Sequence, residues 1–330
     1  MPTVWRSRRW RDEAEGWIRG CVAAAGGQIT GPIVQTRVRM WSTQLTVPTT
    51  AGLLWFKENH PGQAAEAAII DELARMAPDH VVVPLAVERS RGWLLTPDHG
   101  ATLATLDRTD EHQWCRVVSE FGDLQRRASG GADSLLAAGL VPLLPSMVAD
   151  HVERHVERMR RLMPGSTVFV PPEVAEDVLR ALPALRKTAE RLEAAGPPLT
   201  SLEHNDLHQN NVFIPRPDET TLRFFDFGDA VWAHPFTTLS VPVGVLCREW
   251  DTQPDDPRIA RVVDCYLDAW TDVAALAELR EAARLARMLG SVHRFESWRR
   301  LLDGSPLDEH REEAENLHYW LGRIAEMSSD

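Results

Sequence analysis

Two short polar stretches constrain this chain more than anything else in it. His204-Asn205-Asp206-Leu207-His208-Gln209-Asn210-Asn211 is followed, fifteen residues after Asn211, by Asp226 within Arg223-Phe224-Phe225-Asp226-Phe227-Gly228-Asp229-Ala230. Both lie in a β-rich island, residues 201–227, set among long runs of helical apolar periodicity. The apolar run 222–225 brings Asp226 to a strand end, and Gly228 allows a sharp turn just beyond it. Any fold built around this island mixes strands and helices and gathers its polar groups at loops and strand ends.

The flanking sequence divides into two parts. Residues 11–25 read as a helix stopped by Gly26-Gly27. Three β-like runs follow, 33–38, 42–47 and 53–57, with a turn-like piece, 48–52, between the last two. Residues 64–76 are helical in composition, and 80–87 and 92–96 read as two more strands. After Gly100 the character changes. Residues 109–129, 146–163 and 173–195 carry helical periodicity, as do 258–271, 274–289 and 307–327. The expected fold is α+β and bilobal: a small β-rich N-lobe with one main helix, residues 1–97, and a larger, mostly helical C-lobe, residues 98–330. A chain of 330 residues suits two such bodies better than one core.

Phosphoryl transfer asks little covalent chemistry of a protein; it asks for positioning and for cations over the phosphates. Magnesium takes hard oxygen ligands, and Asn211 and Asp226 would supply them. Asp206, five residues before Asn211 on the same loop, would face an acceptor hydroxyl. This pattern resembles the catalytic core shared by protein kinases and their small-molecule relatives. With Asn205 and His208 in place, it looks most like the aminoglycoside phosphotransferase family, including its choline-kinase-like members, whose usual form is HGDLHxxN.

That resemblance implies a protein-kinase-like fold, ATP as donor (GTP is not excluded) and Mg2+ as cofactor. It implies Asp206 as the catalytic residue and Asn211 and Asp226 as metal ligands. It further implies a nucleotide-binding lysine on the third strand, Lys57, paired with a helical glutamate, Glu66, with Glu72 as the fallback. Strand alternation puts Trp55 on the face of Lys57, where it would stack on adenine. The segment 92–100 is the expected hinge, with Thr96 and Asp98 offering backbone contacts to the base. No GxGxxG loop is present, so phosphate contacts are expected from the turn 39–43, with Ser42 and Thr43 as candidates. Asn205 stands where the family usually has glycine. His204 and His208 are expected to brace the catalytic loop. Acceptor-binding candidates are Asp229, Trp232, His234, Glu249, Trp250, Asp251, Asp255, Asp256, Arg294 and Trp298.

Other readings compete. His204, Asp206 and His208 form an HxDxH set with three metal ligands, but a metallohydrolase leaves Asn211 and the Asp-Phe-Gly run unexplained. No A-P-E segment follows that run, which weighs against a protein kinase. A nucleotide-binding regulator without catalysis would not need all five motif residues. Lys+Arg 36 against Asp+Glu 48 gives a net charge of −12, which disfavours a nucleic-acid partner. Four scattered cysteines, no apolar run near 18 residues and no signal-like N-terminus lead to the expectation of a cytoplasmic protein with no membrane partner. Its partner is then a small hydroxylated substrate: an aminoglycoside, another antibiotic, a sugar or a nucleoside.

Overall fold

A computed structural model describes residues 2–196, 199–305 and 310–329. From the N-terminus the elements run α1 (Pro2–Trp5), α2 (Arg8–Ala24), β1 (Val34–Val38), β2 (Ser42–Thr49), β3 (Gly52–Asn59), α3 (Glu66–Met76), β4 (Ala86–Glu88) and β5 (Trp93–Pro97). There follow α4 (Glu111–Ala128), α5 (Ala132–Ala137), β6 (Val141–Pro142), α6 (Pro145–Met159), α7 (Pro172–Ala194), β7 (Ser201–Glu203), β8 (Val212–Phe213), β9 (Arg223–Phe224) and β10 (Val231–Ala233). The chain ends with α8 (Ser240–Glu249), α9 (Pro257–Leu267), α10 (Leu276–Leu302) and α11 (Arg311–Ala325). The architecture is bilobal α+β, with a β-rich N-terminal sheet and a larger helical C-terminal region. It divides into two compact units: Met1–Leu103 with Asp133–Leu140 and Asn210–Gly228, and the remainder. No helix among the described residues is long and apolar enough to cross a membrane.

The first unit is built on a five-stranded antiparallel sheet in the order β1-β2-β3-β5-β4. Alternation along β2 and β3 buries Leu45, Val47, Leu54 and Phe56 on one face. That face is covered by the N-terminal helices. Trp10, Ala14, Ile18 and Val22 of α2 recur every fourth residue and form one apolar stripe against it, and Ser7 caps the helix. Glu58, at the same face, accepts hydrogen bonds from the indoles of Trp10 and Trp93, both at 2.6 Å. The opposite face carries Gln44, Thr46, Trp55 and Lys57, all half-buried. The expected strand over 80–87 is shorter than its composition suggests. Only Ala86–Glu88 pairs with β5, and Val81 makes a single bridge to Phe224. Pro84, with no N–H to give, interrupts the ladder.

The second unit is helical around a small sheet in which β10 lies between β6 and β7. The apolar faces of α4, α6, α7, α9 and α10 form its core. α10 runs well past the expected end at residue 289, continuing to Leu302. Its second half buries polar side chains, His293, Glu296 and Ser297, among the apolar Val292, Phe295 and Leu302, which blurs the apolar face in the sequence pattern. α8 was not anticipated, because burial of Pro242, Val243, Val245 and Leu246 leaves it little amphipathic signal. The expected start of the last helix at residue 307 lies outside the described residues.

Candidate active site

In the first unit, β3 and α3 meet at a buried ion cluster. Lys57 Nζ lies 2.6 Å from Glu66 Oε2 and 2.6 Å from Asp226 Oδ1. Asn59, two residues along β3, also donates from its amide to Glu66. Burial alone would lower the Lys57 pKa, but the carboxylates of Asp226 and Glu66 outweigh it and hold the ammonium above its ordinary range. Burial raises the Glu66 carboxyl, against the pull of Lys57. Glu72 faces elsewhere, paired with Arg75 and Arg89.

Asp226 and Asn211 are brought together by a short hairpin. Val212 pairs with Phe224, and Phe225 N donates to Asn211 O at 3.2 Å. Asn211 thus precedes β8 and Asp226 follows β9 at the same end. Asp226 adopts φ 66°, left-handed backbone that turns its carboxylate toward Lys57. Gly228, two residues later, is closely packed: a Cβ there would stand 3.1 Å from Gln63 Cδ and 3.2 Å from Asn59 Nδ2, so those side chains would have to shift slightly. The donor set, one amide and one carboxylate at the same hairpin end, suits a hard cation such as Mg2+. The Asp226 side chain keeps 37% of its surface exposed beside Lys57, which leaves it room for a second cationic partner.

In the second unit, the loop after β7 holds Asp206. Arg294 of α10 reaches Asp206 Oδ1 at 3.2 Å and Asp229 Oδ2 at 3.2 Å, and donates to Asn205 O at 2.6 Å. His208 Nε2 lies 3.2 Å from Asp206 Oδ2, and Asp206 N donates to His204 Nδ1 at 3.3 Å. Burial pushes the Asp206 carboxyl up, but Arg294 and His208 pull harder, so it stays well below the usual carboxylate range. Asn205 adopts φ 62°, a left-handed conformation that glycine takes freely and asparagine tolerates. Its side-chain amide is anchored by His293 O and Ser297 Oγ, both at 2.8 Å. The asparagine thus holds a left-handed position and ties it to α10 by two hydrogen bonds.

No protein-family model matches the sequence, and no curated protein does. Solved structures do. A choline kinase from Cryptosporidium parvum Iowa II superposes with TM-score 0.65 at 10% identity, over 97% of this chain and 95% of that one. A macrolide 2′-phosphotransferase type I gives 0.57 at 15%, over 94% and 96%. An aminoglycoside phosphotransferase gives 0.56 at 14%, over 97% and 98%. The chain has the aminoglycoside-phosphotransferase and choline-kinase fold.

Within this phosphotransferase fold, the remaining sequence candidates fall into three groups. Trp55 and Thr96 are cross-strand partners, and the Trp55 indole donates to Asp98 Oδ1 at 2.9 Å, fixing the ring on the Lys57 face. Ser42 shares the parity of Lys57 but is buried. Thr43 lies on the opposite face, fully buried, its hydroxyl donating to Arg37 O and accepting from Gln35. The structure therefore does not bring Thr43 to Lys57. Among the acceptor candidates, Trp232 and His234 are interior, and His234 Nδ1 accepts from Phe236 N; burial drives that imidazole down to about 3. Glu249 pairs with Arg108, while Trp250 lies beneath Arg258 and donates to Thr109 O. Asp256 caps α9. Asp251 and Asp255 are exposed, and Trp298 is half-buried on α10. Arg294 and Asp229 join the Asp206 loop instead. The clamp from α10 carries no local sequence signal, since Arg294 lies 89 residues from Asn205.

Proposed function

We propose that this protein is an ATP- and magnesium-dependent small-molecule kinase that transfers the γ-phosphoryl group to a hydroxyl of its acceptor. The observation that carries the reading is Lys57 held between Glu66 and Asp226, with an ionised Asp206 on the adjoining motif. Lys57 would hold the α- and β-phosphates, and Glu66 would keep it extended. Trp55 would stack on the base beside the backbone of Thr96 and Asp98. Asn211 and Asp226 would hold Mg2+, which would supply positive charge against the phosphates.

Asp206 would orient the acceptor hydroxyl and take its proton as the new O–P bond forms. The bond from the γ-phosphorus to the bridging oxygen breaks, and ADP leaves with that electron pair. His204 and His208 would brace the loop, and Arg294 would hold Asp206 ionised and aimed. Most of the acceleration would come from positioning and charge neutralisation. The acceptor is a hydroxylated small molecule, of the kind the structural neighbours' names cover: macrolides, spectinomycin, choline and ethanolamine.

The test is ADP release with Mg-ATP against a panel of such acceptors, aminoglycosides, sugars and nucleosides included, with Asp206→Asn beside the wild type. Acceptor-dependent release should fall by about 100-fold or more in the variant, while Mg-ATP affinity stays near wild type. Loss of nucleotide binding together with turnover would mean Asp206 is structural or a metal ligand. Binding without release for any acceptor would favour a nucleotide-binding regulator.

A further inference from the structure

β1 is an edge strand, and it carries a bulge. Gln35 pairs with Leu45 and Arg37 with Gln44, so Thr36 is the extra residue. Gln35 belongs to the face packed against the N-terminal helices, where its amide donates to Trp5 O and Thr43 Oγ1. In an unbroken strand Arg37, two residues on, would share that buried face. The bulge re-aims it to the other face. There Arg37, Gln44 and Lys57 stand in one row across β1, β2 and β3. The adjacent row on the same face is Val34, Thr46, Trp55 and Thr96. At about 4.8 Å between strands, the Arg37 Cα lies about 10 Å from that of Lys57.

The charges in the row are unequal. Lys57 is bracketed by two carboxylates. Arg37 is exposed, and among the described residues its guanidinium has no carboxylate or hydrogen-bond partner. The turn that follows, Arg39-Met40-Trp41, contains no glycine and offers no run of flexible backbone N–H groups to a phosphate. A cation on an edge strand also discourages strand pairing, but that role is indifferent to which face the side chain occupies and needs no bulge.

We propose that Arg37 binds the phosphate chain of the nucleotide, supplying from the edge strand the positive charge that a glycine-rich loop would supply through its backbone. This rests on the kinase reading of the Lys57 site. The planar guanidinium fork matches phosphate oxygens, and its row places it level with Lys57 and one step from the Trp55–Thr96 row.

The experiment is calorimetric titration of the full chain with Mg-ATP, Mg-ADP and adenosine. In Arg37→Ala, Mg-ATP should bind about tenfold more weakly or worse, with adenosine within about twofold of wild type and the melting temperature unchanged. Arg37→Lys should be intermediate. Mg-ATP affinity unchanged in Arg37→Ala, while Lys57→Ala loses it, overturns the role of Arg37 and leaves the kinase reading standing. Equal weakening of ATP and adenosine also overturns it, because a phosphate contact cannot act on adenosine. A wild-type chain that binds neither ligand overturns the kinase reading, and Arg37 falls with it.

Discussion

Asp206 keeps its charge because of what surrounds it. A carboxylate removed from water would be protonated more easily, yet Arg294 and His208 reverse that, and Arg294 shares its guanidinium with Asp229. The direction fixes two consequences. For stability, a carboxyl held below its unfolded value contributes above the ordinary carboxylate range, and that contribution is lost as pH falls through the depressed value. For catalysis, the proposed base is ionised across the neutral range, so its protonation should shape only a far-acid limb of kcat/KM. Replacing Arg294 by Met keeps the length and removes the charge. The acid limb should then move to higher pH, with Mg-ATP affinity little changed and the far-ultraviolet circular dichroism preserved. A limb that stays in place would show that Arg294 does not hold the proton off Asp206.

Two helices of the second unit meet at a point where one residue decides the fit. A Cβ on Gly290 of α10 would lie 2.0 Å from Ser240 Oγ and 2.4 Å from Ser240 Cβ, at the first residue of α8. Gly290→Ala gains about 1 kcal/mol of helix propensity. Overpacking costs about 1–3 kcal/mol, and backbone must move here because the Ser240 Cβ itself is in the way. The net effect on urea unfolding should be destabilising by up to about 2 kcal/mol, and Ser240→Gly in the same background should recover most of it. Gly290 also marks where sequence reading of this helix stops. Up to it, apolar positions recur at helical spacing. Beyond it Val292, Phe295 and Leu302 are still buried, but His293, Glu296 and Ser297 are buried among them and make polar contacts to other segments, which weakens the hydrophobic periodicity. The same contrast runs through the site. Asn211 and Asp226 stand out through their spacing around a short apolar run, while Lys57 and Glu66 are singled out through the resemblance, on an expected strand and an expected helix. The expected turn 39–43 hides that Ser42 and Thr43 begin a paired strand and point to opposite faces, and the bulge at Thr36 is likewise a property of pairing rather than of sequence.

At the scale of the whole chain, the motif segment belongs to both units in turn. Through Gln209 it is part of the second unit, Asn210–Gly228 is part of the first, and from Asp229 the chain is in the second again. Lys57, Asn211 and Asp226 therefore belong to one unit, and Asp206 with Arg294 to the other. If the roles divide the same way, nucleotide affinity and turnover should be separable by mutation. Thermal unfolding of the full chain tests this without knowledge of the acceptor. A ligand that binds only the native state, at a hundred times its Kd, adds about 2.7 kcal/mol of stability. Mg-ATP should raise the unfolding temperature of the wild type and of Asp206→Asn alike, since the role proposed for Asp206 is on the acceptor side of the reaction. Lys57→Ala should show little or no rise, because it removes the ammonium and leaves the carboxylates of Glu66 and Asp226 without their shared cation where the phosphates would sit. Equal rises in all three proteins would put the nucleotide somewhere other than against Lys57. A rise lost in Asp206→Asn but kept in Lys57→Ala would exchange the roles of the two units.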